Sequence, residues 1–211
     1  MPLEFDSATH TYRLDGVVVP SVTEVLKVSG LYNHAGVLPD VLEAAGARGH
    51  VVHEMLAWYD QDDLDETTLD AKWAAYLNGW KAFRADTKFA PAAIEERCVS
   101  ATQPHYAGTL DRTGTAEGVS LAVVDIKTGR AQGADVVQVA AYLGLLPAES
   151  RPVGWLVYLH PALARGYKLL PLSIEQAWQG KVVFNHALAV FNWRREHGLL
   201  PKQEDDDGSN G

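Results

Sequence analysis

One cysteine, Cys98, stands alone in the sequence. An intramolecular disulfide is therefore impossible, four-cysteine zinc or iron–sulfur sites are excluded by count, and a reducing cytoplasm is the expected setting. Long apolar runs are missing too. None approaches the roughly 18 residues needed to cross a bilayer, and no charged segment followed by an apolar one opens the chain. We expect neither a membrane span nor an export signal. No G-x-x-x-x-G-K-[ST] loop occurs, so ATP hydrolysis is not expected of this polypeptide. Basic charge is in deficit: 18 Lys and Arg against 27 Asp and Glu give a net charge of −9. That balance disfavours a nucleic-acid partner, whose phosphates are usually met by Lys and Arg. Clustered carboxylates are nevertheless what a metal site requires, and a bound cation inverts the local sign.

What the chain does have is ordinary globular composition, 47% apolar and 21% charged, over 211 residues. One compact domain over residues 1–200 is expected, followed by a disordered tail, 201–211, that carries Glu204, Asp205, Asp206 and Asp207. Near the start, His10 to Leu14, Asp15-Gly16 and Val17 to Val19 read as a hairpin on an Asp-Gly turn. Ser21 with Glu24 three residues on predicts a capped helix from Val22 to about Val28. Apolar spacing predicts a helix over Pro39 to Tyr59, with Gly46 and Gly49 as points where it could break, and another over Leu69 to Arg84. In the latter, Trp73, Tyr76, Leu77, Trp80 and Phe83 form an aromatic stripe expected in the core, as are Trp155, Trp178 and Trp193. Three strands follow: Ala93 to Ser100, Tyr106 to Thr115 and Ser120 to Lys127. A helix over Asp135 to Leu146, strands at Val153 to Leu159 and Tyr167 to Leu170, and a helix from Ser173 to about Glu196 complete an α/β pattern.

The third of these strands carries the chemistry. Leu121 to Val124 is apolar on both faces, as in an interior strand, and then come Asp125, Ile126 and Lys127. Alternation puts Asp125 and Lys127 on one face and Ile126 on the other. Positions 111 and 125 are equidistant from Gly118, so a hairpin turning there sets Asp111 roughly opposite Asp125. Carboxylates so opposed, with Cβ atoms about 4.5–5.5 Å apart, repel unless positive charge sits between them. Lys127 offers part of it, and magnesium or manganese, which take hard oxygen ligands, offers the rest. The alternative at this point is a structural ion pair between Asp125 and Lys127, with Asp111 on the surface.

Taken together, Arg48-Gly49 with His53, Gly108-Thr109-Leu110-Asp111, Asp125-Ile126-Lys127-Thr128-Gly129, and Gln138 with Tyr142 resemble the RecB-like branch of the PD-(D/E)XK nuclease superfamily. The resemblance covers about residues 48 to 142. It implies a restriction-endonuclease-like αβββαβ core, with a mixed central sheet flanked by helices and the N-terminal hairpin and helix added. It further implies that His53, Asp111 and Asp125 bind Mg2+ or Mn2+, with the Ile126 carbonyl as a further ligand, and that Lys127 orients or helps deprotonate the attacking water. Glu96 is preferred over its neighbour Glu95 as the acidic residue beside the metal. Gln138 and Tyr142, four apart on one helical face, and Arg48 are implied to support the site or the substrate; otherwise they are polar residues of ordinary helices. His50 is given no role. With one cysteine, the iron–sulfur cluster of some relatives is excluded, and the compact form looks like the standalone nucleases of bacteriophage.

The resemblance thus implies a metal-dependent DNA exonuclease of recombination or repair, with DNA as partner and a recombination protein as a possible second one. A structure-specific endonuclease or junction resolvase would use the same residues, since end-selectivity comes from loops and assembly. A catalytically silent binding module on the same scaffold is the alternative of another class.

Overall fold

The computed structural model describes residues 2–32 and 36–201, and the acidic tail read from Glu204 to Asp207 lies outside them. Strands β1 (Leu3–Asp6), β2 (Thr11–Leu14) and β3 (Val17–Val19) form a three-stranded antiparallel sheet. The β2–β3 turn is Asp15-Gly16, both at positive φ, the geometry a two-residue hairpin loop favours. Helix α1 (Val22–Val28) starts on a complete capping box: Ser21 Oγ accepts from the Glu24 amide at 3.0 Å, and the Glu24 carboxylate accepts from the Ser21 amide at 3.4 Å.

Helix α2 (Pro39–Asp60) runs unbroken through Gly46 and Gly49, and α3 (Ala71–Thr87) follows a short 3-10 turn. Tyr76, Leu77, Trp80 and Phe83 of the α3 stripe are buried, while Trp73 is half-buried. Then come β4 (Ala90–Val99), β5 (Ala107–Ala116), β6 (Val119–Lys127), α4 (Gly133–Leu143), β7 (Val153–Leu159), β8 (Tyr167–Pro171) and α5 (Ile174–Glu196). The strands form one mixed sheet in the order β4-β5-β6-β7-β8, antiparallel except for β6 and β7, which α4 joins as a parallel crossover.

Burial along β6 shows how the layers meet. Ala122, Val124 and Ile126 pack with Val52, Leu56, Trp80 and Phe83 of α2 and α3, whereas Val123 packs with Val25, Leu26, Ala141 and Phe184 of α1, α4 and α5. Helices therefore cover both faces of an α/β sheet, and the two-sided apolar run has its cause in that sandwich. Trp155 is buried as expected, but Trp178 and Trp193 are 65% and 54% exposed on α5. They lie off the stripe of Phe184, Leu188 and Phe191, which already fills the contact of α5 with the core. Among the described residues no helix is long and apolar enough to cross a membrane.

Candidate metal centre

The β5–β6 hairpin decides what stands at the C-terminal end of β6. Ala116 pairs with Val119 around Glu117-Gly118, and a register shift between Gly114 and Ala116 then restores pairing symmetric about Gly118 as far as Arg112↔Val124. The ladder ends there. Two residues past Val124, the Ile126 amide donates to Asp111 Oδ2 at 2.7 Å, so a side chain takes the place of the ladder carbonyl. On the far side, His53 of α2 bonds the Ile126 carbonyl through Nε2 at 3.0 Å. A carbonyl only accepts, so Nε2 carries the hydrogen and Nδ1 of a neutral ring is left with its lone pair.

That Nδ1 lies 3.5 Å from Asp111 Oδ1 and 3.9 Å from Glu95 Oε1. One donor atom from each of His53, Glu95 and Asp111 falls within 4.8 Å of the others. Glu95 arrives there by an irregularity: its φ is 52°, inside a strand. The left-handed region costs a non-glycine residue on the order of 1–2 kcal/mol, and such residues concentrate at functional sites. Its neighbour Glu96 instead accepts from Thr113 Oγ1 at 3.3 Å. The cluster thus differs from the expected set. It includes Glu95 where Glu96 was preferred, it leaves Asp125 outside, and the Ile126 carbonyl is engaged by His53. The preference for Glu96 came from the family resemblance, and strand alternation could not correct it because it cannot foresee a left-handed residue.

Asp125 is buried and faces Lys127, whose Nζ approaches Oδ2 to 2.8 Å without hydrogen-bond alignment, so the contact is an ion pair. Burial pushes the Asp125 carboxyl up; Lys127 opposes this and Asp111 adds to it. Burial alone would lower the Lys127 ammonium, but Asp125 and then Tyr32 and Asp111 outweigh it and hold its pKa above the usual lysine value. Lys127 is consequently a charged donor here, fitted to orient or neutralise rather than to remove a proton. Its second partner is Gln138 Oε1 at 2.8 Å, and Gln138 Nε2 donates to the Tyr142 hydroxyl at 2.8 Å. Burial drives the Tyr142 pKa well up, which keeps that hydroxyl protonated. Gln138 and Tyr142 are therefore joined to the site through Lys127.

Sequence reasoning missed the outer part of this network. Tyr32 donates to Gln138 Oε1 and to Asp135 Oδ1, and Tyr158 donates to Asp135 Oδ2 at 2.9 Å. The available signal was an acidic residue at the start of a helix, since Asp135 sits at N3 of α4. Arg48 lies on α2 five residues before His53, with its Nε buried and unpaired.

No family model and no curated protein matches the chain. Among solved structures, one titled "Crystal structure of SSO0001" aligns at 15% identity and a TM-score of 0.33, covering 60% of this chain. The alignment spans 65% of that protein's length. Likeness at that level carries no argument, and the site is read from its own atoms.

Those atoms suit a divalent cation. Two carboxylates converge with one imidazole nitrogen whose lone pair is freed by the bond from Nε2 to Ile126.

Proposed function

We propose that this chain is a metal-dependent nuclease that hydrolyses DNA, acting as an exonuclease, with Mg2+ or Mn2+ held by His53, Glu95 and Asp111. The observation that carries the proposal is the convergence of those three donors within 4.8 Å, beside the Asp125–Lys127 pair. When bound, the cation supplies Lewis acidity: it lowers the pKa of water and offsets charge on phosphoryl oxygens. The protein's own part is positioning. Lys127, fixed between Asp125 and Gln138, presents an N–H donor and a positive charge to an anionic substrate. Asp125, with its carboxyl raised toward neutrality, is suited to take up a proton beside that donor. Tyr142, Gln138 and Tyr32 hold Lys127 in place, so its ammonium does not wander. We place the reaction in the cytoplasm, in recombination or repair.

Linear and circular duplex DNA incubated with Mg2+ or Mn2+ tests the reading. Linear DNA should be degraded, chelator should stop it, and Asp111→Ala should lower the rate by more than about 100-fold, beyond what loss of a supporting contact costs. Degradation indifferent to chelator would sink the metal mechanism. Internal nicking of circles would replace exonuclease with endonuclease, and cation binding without any cleavage would leave a binding module.

A further inference from the structure

Behind the three donors stands a residue that the nuclease reading does not use. Arg112 is fully buried on β5, directly after Asp111. Its Nε donates to Asp60 Oδ2 at 2.6 Å, and its Nη1 donates to the Asp111 carbonyl at 2.6 Å and to Glu95 Oε1 at 3.4 Å. Asp60 is the last residue of α2, two turns beyond His53 on the same helix. Its other oxygen accepts from Trp80 Nε1 at 2.9 Å and Arg84 Nη1 at 2.8 Å, so the anchor is itself pinned. One guanidinium thus touches each of the three chain segments that carry the donors: α2, β4 and β5.

We propose that Arg112 is a positioning residue for the cation site, clamping the Glu95 carboxylate and the Asp111 main chain to the end of α2. This inference rests on the reading of His53, Glu95 and Asp111 as cation ligands. A purely structural buried pair would need only Asp60, and such pairs are commonly replaced by apolar residues without loss. Here the Nη1 edge is spent on site atoms while Nη2 has no hydrogen-bond partner, an arrangement poorly suited to filling a core. Glu95 needs such a clamp: its side chain is 40% exposed and its backbone is left-handed, and its other charged neighbour, His53 at 3.9 Å, is itself one of the three donors.

The sign of the effect separates positioning from simple electrostatics. A positive charge 3.4 Å from Glu95 by itself repels a cation, so if charge were the whole role, Arg112→Gln would tighten binding. Positioning requires the reverse, and it also requires Arg112→Lys to fail, because an ammonium keeps the charge but loses the planar fork.

The test is titration of the full chain with Mn2+ alone, following the paramagnetic resonance of the free ion. Both Arg112→Lys and Arg112→Gln should weaken binding by about 10- to 100-fold, the range seen when an outer partner of a metal ligand is lost. Arg112→Lys should cost less in a Glu95→Gln background than in the wild type, since part of its effect runs through the Glu95 contact and the rest through the Asp111 carbonyl. Unchanged affinity in Arg112→Lys, tighter binding in Arg112→Gln, or full additivity in the double variant each overturns the clamp. If circular dichroism shows the Arg112 variants unfolded, Asp60→Asn, which leaves Arg112 in place on a weakened anchor, takes their role with the same expected loss. Wild-type protein that binds Mn2+ yet cuts no DNA removes the nuclease reading and leaves this one standing. Wild-type protein that binds no Mn2+ overturns both.

Discussion

His53 is pulled in two directions. Burial of its ring disfavours the cation, but Asp111, then Glu95 and Asp125, outweigh that and push its pKa from 6.5 up to about 9 in the absence of metal. A raised folded-state value means that the protonated ring stabilises the fold. That contribution is fully present below pH 6.5 and disappears as pH rises through about 9. At about 1.4 kcal/mol per pH unit between the two values it amounts to roughly 3 kcal/mol. Urea denaturation of metal-free protein should therefore show falling stability from pH 6.5 to 9, and His53→Gln should flatten the slope. Binding of a cation at Nδ1 needs the neutral ring, so at pH 7 it should release close to one proton. Calorimetry with Mn2+ in two buffers of different ionisation enthalpy reads this directly; heats that do not depend on buffer would exclude Nδ1 as a ligand. At this scale the sequence was half legible. His53 and Asp111 fall in one three-residue cluster, and Asp125, Lys127, Gln138 and Tyr142 form a contact chain beside it. Glu95 was legible only as the alternative to Glu96, since a left-handed residue in a strand breaks the alternation that sequence reading assumes, and the fully buried Arg112 was not read at all.

Between elements, glycine contacts show where the packing is tight. A Cβ on Gly79, in the middle of α3, would come within 2.4 Å of the Gly166 carbonyl oxygen, in the turn between β7 and β8. Backbone must move to admit it, so Gly79→Ala should cost about 1–3 kcal/mol. On α2 a Cβ at Gly46 meets nothing within 4 Å. Gly46→Ala should therefore stabilise, by about 0.5–1 kcal/mol, because an interior helical glycine loses more backbone entropy than alanine. Urea midpoints of the two variants should move in opposite directions; a shared direction would contradict the packing described. Gly46 did not break α2, although its sequence warned of a break, because a single interior glycine costs only about 1 kcal/mol and the 22-residue helix buries Val52, Met55 and Leu56 beyond it. Most elements were readable because hydrophobic period and capping residues agree: Ser21 with Glu24 and Ser173 with Gln176 each start a helix where the pattern changes. Strand β1 went unread, since Leu3–Asp6 is too short to establish alternation. The exposed Trp178 and Trp193 went the other way, because α5 has apolar residues on more than one side and its sequence does not say which side meets the core.

Over the whole molecule, charge sets the terms on which DNA would be met. Of the 18 basic residues, Arg112 is buried, Lys81, Arg84 and Arg165 are engaged by carboxylates, and Lys127 is paired with Asp125. The other 13 are outnumbered by 27 acidic residues that repel phosphate. Affinity that rests on Z phosphate neutralisations falls with salt at a slope near −0.9Z on logarithmic axes for duplex DNA, so a basic groove gives a steep slope. Here the cation itself is the principal positive charge at the site, and the slope should be shallow, about −1 to −3. Anisotropy of labelled duplex with Lys127→Met, chosen to suppress cleavage, and Mn2+ measures both quantities. Chelator should lower affinity by more than about tenfold, because removing the ion exposes phosphate to Glu95, Asp111 and Asp125 without compensation. A slope steeper than about −5, with binding indifferent to chelator, would mean that surface lysines and arginines carry the contact and that the net charge of −9 is no guide to how this protein would hold DNA.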